Sequence, residues 1–291
     1  MSSPQAWRLT YSGEDLSFGS VESGYVFTTA PDLGARELEH EDARRPRTDG
    51  VSFGQDFTGG RTITFELDVN GTDEADAKAK LARLSRAWRA DAVRSTPGAT
   101  ATLTSGSGRV AFGRPRRFAS NDDLQPQGLS TVVADFAAAD DTWYGGTEQG
   151  VTVPLVPAPS GGLMAPLAAP LSTTLSSDRS QGVTIGGDLP TWPVFEIRGP
   201  ITNPSVELVN ALKMDFKLTL AYDQKLVIDT RPWARSILRN GASVAGTITR
   251  SSTRLANAAL KPGDYEFVLR GSVNTGNPSA TIRWREAYIT P

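Results

Sequence analysis

The sequence predicts a mainly β protein with one helix: an N-terminal β-domain that carries the helix, then a C-terminal β-sandwich. Three observations predict it. Only residues 73–94 sustain a helical period, strands with period-two alternation flank that stretch, and turn residues recur through the second half at the spacing of a sandwich.

In the helix, Ala77, Leu81, Leu84 and Trp88 follow one another at spacings of four, three and four, which puts them on one face. Lys78, Lys80, Arg83, Arg86 and Arg89 occupy the other. Asp73, Glu74 and Asp76 crowd the first turn, where the helix dipole favours them, Thr72 or Asp73 serves as N-cap, and Pro97-Gly98 ends the run. Before the helix, Ile63, Phe65, Leu67 and Val69 alternate along a half-buried strand. After it, residues 101–103 and 109–112 form a hairpin across Ser105-Gly106-Ser107-Gly108.

At the N-terminus, residues 6–11 and 25–29 read as two strands with a turn through the Gly13 and Gly19 region. Residues 31–50 have loop composition, with Pro31, Gly34, Pro46 and Gly50, and are expected to be either solvated or an arm that reaches a neighbouring subunit. Glu37, Glu39, Arg44, Arg45 and Arg47 of this stretch are candidate subunit contacts. So is the short basic run Arg114, Arg116 and Arg117, since the surrounding acidity disfavours nucleic acid. Residues 129–137 form a further strand, and the first domain closes on Asp140-Asp141-Thr142-Trp143-Tyr144, giving boundaries of 1–149.

Residues 150–170 are a proline-rich seam, because proline lacks an amide donor and is excluded from helix interiors and central strands. The second domain, 171–291, offers strands at 182–186, 193–199, 206–209, 217–220, 226–229, 236–239, 247–248, 263–270 and 280–287. Asn240-Gly241 is its strongest hairpin signal, since a type I′ turn needs positive φ at both positions.

Composition restricts the chemistry. The 291 residues include no cysteine, so disulfides, zinc-thiolate sites and cysteine nucleophiles are excluded. The one histidine, His40, lies in an acidic run without a nucleophile signature near it. Net charge is −2, which gives no general attraction to nucleic acid or anionic lipid. The charge is divided unevenly: residues 1–150 carry 16 Lys and Arg against 22 Asp and Glu, and residues 151–291 carry 14 against 10. Opposite signs suit head-to-tail contact. No apolar run reaches the roughly 18 residues of a membrane helix, and the first residues lack the basic and apolar regions of a signal peptide.

Glu196, Glu207, Asp215, Asp229, Glu266 and Glu286 lie on or beside strands of the second domain, but no two have the diagnostic spacing of a glycosidase pair. Asp140-Asp141 lacks the ladder of oxygen ligands that a calcium loop supplies. No catalytic residue, metal site or cofactor is therefore assigned. Trp192, Tyr222, Trp233 and Trp284 are candidates for a sugar-stacking face, against the alternative of core or seam packing.

Taken together, the one-helix β-domain closed by Phe136 to Tyr144, the seam, and the strings Gly199-Pro200-Ile201-Thr202-Asn203-Pro204 and Ile228-Asp229-Thr230 resemble the distal tail proteins of long-tailed bacteriophages (siphoviruses). The resemblance implies a galectin-like, jelly-roll C-terminal sandwich and a structural virion protein without turnover, located at the distal end of the tail. It implies a homohexameric ring that joins the tail tube protein to the tail-tip hub, with a channel through which DNA passes without specific binding. It also implies sites for peripheral receptor-binding proteins and no membrane anchor. The chain lacks a large insertion in its second domain, which favours a plain adaptor over a dedicated receptor-binding role.

Overall fold

The computed structural model describes residues 6–155, 180–273 and 276–291. They form two compact units, Met1–Gly146 with Tyr288–Pro291, and Thr147–Ala287.

The first unit is an antiparallel sheet closed by a helix. Its strands are β1 (Trp7–Tyr11), β2 (Glu14–Phe18), β3 (Tyr25–Phe27), β4 (Leu38–His40), β5 (Ala43–Arg44), β6 (Val51–Ser52), β7 (Asp56–Thr58), β8 (Thr62–Asn70), β9 (Ala101–Thr104), β10 (Val110–Asn121), β11 (Leu129–Ala138) and β12 (Trp143–Tyr144). The main sheet runs β2-β1-β9-β10-β11-β8-β3, with β12 beside β10. Alternation sets its faces: Ile63, Phe65, Leu67 and Val69 on β8 and Val132, Ala134 and Phe136 on β11 all point into one core.

Helix α1 (Glu74–Arg89) covers that core with Ala77, Leu84, Ala87 and Trp88, all fully buried. Burial of Leu84 and Trp88 contributes about 1.5–3 kcal/mol each. The Asp73 carboxylate caps it by accepting from the Asp76 N–H at 2.8 Å, which satisfies one orphan amide, and the Asp76 carboxylate accepts in turn from the Thr72 N–H at 2.9 Å. The expected helix over 73–94 is broken: buried Ala90 takes a left-handed conformation (φ 48°), and a single turn, α2 (Asp91–Arg94), follows in a new direction. Tyr11 and Tyr25 donate to the carbonyls of Ala87 and Lys80 and pin the helix to the sheet. Beneath it the aromatic rings meet edge-on, Phe18 to Phe65 at 5.1 Å and Trp7 to Trp143 at 6.1 Å.

Two N-terminal expectations are corrected. The Gly13 and Gly19 turn region contains β2, whose Leu16 and Phe18 are buried opposite β1. The stretch read as a loop is half of a hairpin, in which β4 pairs β7 and β5 pairs β6. Its second half lies beyond residue 50, so the loop-like composition of the first half hid the pairing.

The second unit is a sandwich of two antiparallel sheets. Its strands are β13 (Gln149–Pro154), β14 (Ser180–Ile185), β15 (Val194–Arg198), β16 (Ile201–Leu208), β17 (Leu212–Asp215), β18 (Thr219–Leu220), β19 (Lys225–Asp229), β20 (Ser236–Arg239), β21 (Ala242–Ser243), β22 (Gly263–Ser272) and β23 (Ser279–Trp284). One sheet runs β13-β23-β15-β19-β20-β21; the other runs β14-β22-β16-β17, with β18 beside β16. Inner-face side chains such as Phe195 and Phe267 meet between them, ring centroids 6.0 Å apart.

Several strand expectations shift here. The start of the expected seam, residues 150–154, belongs to β13, an edge strand with Pro154 at its end, where a missing donor costs no ladder bond. The rest of the seam, 156–170, lies outside the described residues. β17 was not expected, and 247–248 is not a strand: Asn240 and Gly241 (φ 47° and 86°) turn the chain into β21 instead, followed by a 3₁₀ turn at Ala245–Thr247.

Candidate assembly surface

Among the described residues, the hairpin emerging from the first unit carries an unusual surface. The chain leaves the sheet after Asp32, whose N–H and C=O exchange hydrogen bonds with Thr64 at 3.0 and 2.8 Å, and the Gly59 N–H closes the arm on the Glu37 carbonyl at 2.8 Å. Between these residues every position from 37 to 58 is exposed. That includes apolar side chains that folding alone would bury: Phe53 is 88% exposed, and Leu38, Val51 and Phe57 stand in solvent with it. At about 3.3 Å per residue, the 11 steps from root to tip reach up to roughly 35 Å.

Glu37 and Glu39 lie on the root half of this arm with Glu41, Asp42 and Asp56, while Arg44, Arg45 and Arg47 crowd the tip. The arm is thus charged with opposite signs at its two ends. His40 is an exposed position of β4. The exposed apolar residues were missed in the sequence; the signal was the hydrophobic content of residues 51–57 directly after the loop-like stretch.

The basic run of β10 divides. The Arg114 guanidinium donates to the carbonyls of Ala99 and Thr96 inside its own unit, at 2.8 Å each. The register between β10 and β11 shifts from Pro115 to Phe118, a bulge that displaces Arg116 and Arg117, and both are exposed.

The closing motif of the first unit packs beside the arm's root. Trp143 is buried in the core. The Asp140 carboxylate accepts from the Tyr144 hydroxyl at 2.6 Å and from the Thr142 N–H at 3.2 Å. Burial pushes the Asp140 carboxyl up to about 6; those two hydrogen bonds and Arg61 pull it down, and Asp141 pushes it further up. No group of three or more potential metal ligands occurs among the described residues.

In the second unit the four expected stacking residues do not gather at one place. Trp284 is 6% exposed and belongs to the sandwich core. Tyr222 precedes β19 and Trp233 follows it, so the length of that strand, about 16 Å, separates them. Trp192 precedes β15, and the pairing of Val194 with Asp229 puts it at the Trp233 end. Tyr222, 82% exposed, borders a shallow hollow of about 510 Å³ with Arg198, Asp223, Gln224, Lys225 and Asn240. Four of the candidate carboxylates are matched by cations: Glu196 by Arg198 at 2.7 Å and Arg283 at 3.5 Å, Glu207 by Arg270 at 3.2 Å, Asp215 by Lys213 at 3.6 Å, and Asp229 by Arg231 at 2.5 Å.

No protein-family model matches the sequence, and no curated protein matches it. Solved structures do, and the fold they share with this chain is one found in phage hub and baseplate proteins. In particular, the chain is similar to the Dit protein of phage SPP1, described as a paradigm of the hub adsorption apparatus in phages that infect Gram-positive hosts. The match has a TM-score of 0.59 at 15% identity and covers 97% of this chain and 98% of that one. It is also similar to a chain of the phage P2 baseplate in its activated conformation, with a TM-score of 0.54 at 12% identity with Ca and 11% with Sr, each covering 96% of this chain and 97% of that one.

Proposed function

We propose that this chain is a non-enzymatic structural protein of a long-tailed phage virion. In this reading it forms a sixfold ring at the distal end of the tail, between the tail tube and the tail-tip hub. The observation that carries the reading is the pairing of a tail-tip fold over nearly the whole chain with an arm whose apolar side chains find no cover in their own unit. A ring needs heterologous contacts that close on themselves, and an arm that buries Phe53 and Phe57 on the next copy supplies one. Glu66, Asp68 and Asp135 sit on the face of β8 and β11 away from the core, and such a face lining the channel would repel DNA phosphate during passage. The second unit carries the contacts to peripheral receptor-binding proteins.

The test is the mass and shape of the purified chain, by light scattering and negative-stain imaging, beside a variant in which residues 38–58 are replaced by a short Gly-Ser linker. Rings of about six copies of the 31.1 kDa chain, lost in the variant, are the expected result. A monomer at every concentration, alone and with tube protein, refutes the ring. A second reading, that the sandwich binds host cell-wall glycan, draws on the exposed Tyr222 beside its polar hollow. Binding on a glycan array that is lost in Tyr222→Ala would support it.

A further inference from the structure

Both legs of the arm are fastened at one place. On the outgoing leg, the Arg36 guanidinium Nε lies 3.7 Å from the Asp141 carboxylate. On the returning leg, Arg61 Nη2 donates to the Asp141 carbonyl, and the same guanidinium stands 6.0 Å from the centroid of the buried Trp143 ring. The Arg61 carbonyl accepts from the Ala138 N–H at 2.9 Å. Two glycines let the legs come this close: a Cβ on Gly34 would lie 2.1 Å from the Thr62 carbonyl oxygen, and one on Gly60 would lie 2.2 Å from that of Ala138.

This accounts for the acidic-aromatic motif in physical terms. Trp143 anchors the turn in the core, Tyr144 and the Thr142 amide hold Asp140, and Asp141 is left facing the two arginines that bracket the arm. Beyond its root the arm is an isolated two-stranded hairpin, a marginal structure by itself. A swing of about 10° at the root would move a tip roughly 35 Å away by roughly 6 Å, enough to miss its acceptor.

We propose that Arg36, Arg61 and the Asp140–Asp141 turn form an aiming clamp, which fixes the direction of the arm so that it meets the neighbouring copy. These are positioning residues: they act on assembly through the arm. The inference rests on the reading of the arm as a subunit contact. Arg36 is exposed and its ion pair with the partly buried Asp141 spans 3.7 Å, so it adds little to folding stability and its effect on assembly is separable from its effect on the fold.

The chain contains no cysteine, so two spin labels can be placed cleanly, at Asp49→Cys near the tip and at Ser17→Cys on the exposed side of β2. Pulsed electron resonance on the dilute full-length chain should give a narrow distance distribution. Arg36→Gln or Asp141→Asn should broaden it at least about twofold while the melting temperature stays within about 3 °C, and the concentration for half-assembly should rise about tenfold. The swapped pair, Arg36→Asp with Asp141→Arg, should restore both. An unchanged distribution in the single variants overturns the clamp, and so does a broadened one with normal assembly. If the 38–58 replacement itself assembles normally, the reading of the arm fails, a result distinct from failure of the clamp.

Discussion

Replacing Asp140 with Asn should change the stability of the first unit relative to wild type by a gain that grows with pH and then levels off, added to a pH-independent offset from the altered hydrogen bonding. Burial raises the Asp140 carboxyl from an ordinary value of 3.8 to about 6. Below 3.8 both folded and unfolded chains are protonated and no penalty exists. Between 3.8 and about 6 the unfolded chain ionises while the folded chain holds its proton, so folding loses stability as pH rises; above about 6 the loss is constant. A shift of about two units corresponds to about 3 kcal/mol at most, or roughly 6–12 °C in melting temperature for a unit of this size. Asparagine abolishes the titration while keeping an oxygen for one of the two hydrogen bonds. Any fixed difference in bonding is the same at every pH and leaves the slope untouched. Calorimetry of wild type and variant at intervals from pH 4 to pH 8 reads the difference directly, because the other carboxylates titrate alike in both. A difference that is flat with pH, or largest at pH 4, refutes the argument. Tyr144→Phe, which removes the donor at 2.6 Å, should move the wild-type inflection to higher pH.

The remaining predictions concern the two cores and the arm. Leu84→Ala, at a fully buried position on the inner face of α1, should cost about 2–5 kcal/mol and lower the transition of the first unit only; an equal shift of the second unit's transition would contradict two separate cores. Gly241→Val forces a β-branched residue to φ 86° in the turn between β20 and β21; nothing lies near its added atoms, so the cost is backbone strain of about 1–2 kcal/mol or more, seen as a lower melting point. Phe53→Ser, at a residue 88% exposed, should leave monomer stability within about 0.5 kcal/mol of wild type but weaken assembly measured by sedimentation; a destabilised monomer with intact assembly would place Phe53 inside its own fold.

Local pattern by itself determined the regular parts of this protein. The four-three-four spacing of Ala77, Leu81, Leu84 and Trp88 made a helix the one consistent reading, and alternation fixed which face of β8 turns inward, because a side-chain period leaves no freedom once one face is apolar; β11 has apolar residues on both sides, and only packing chose Val132, Ala134 and Phe136. Asn240-Gly241 likewise dictated its turn. What tertiary structure decided were features whose two halves lie far apart in the chain. The arm could not be read from residues 31–50, since its pairing strands lie at 51–58; the hydrogen bonds of Arg114 inside its own unit could not be read until Thr96 and Ala99 were brought beside it. Trp284 was sent to the core and Tyr222 to the surface by the stacking of one sheet on another, a choice to which an isolated aromatic residue in a strand or turn is blind. The Asp140-Asp141 pair was visible as a motif, yet its partners Arg36 and Arg61 lie some 80 to 105 residues earlier, and only the closing of β11 against β8 makes them neighbours.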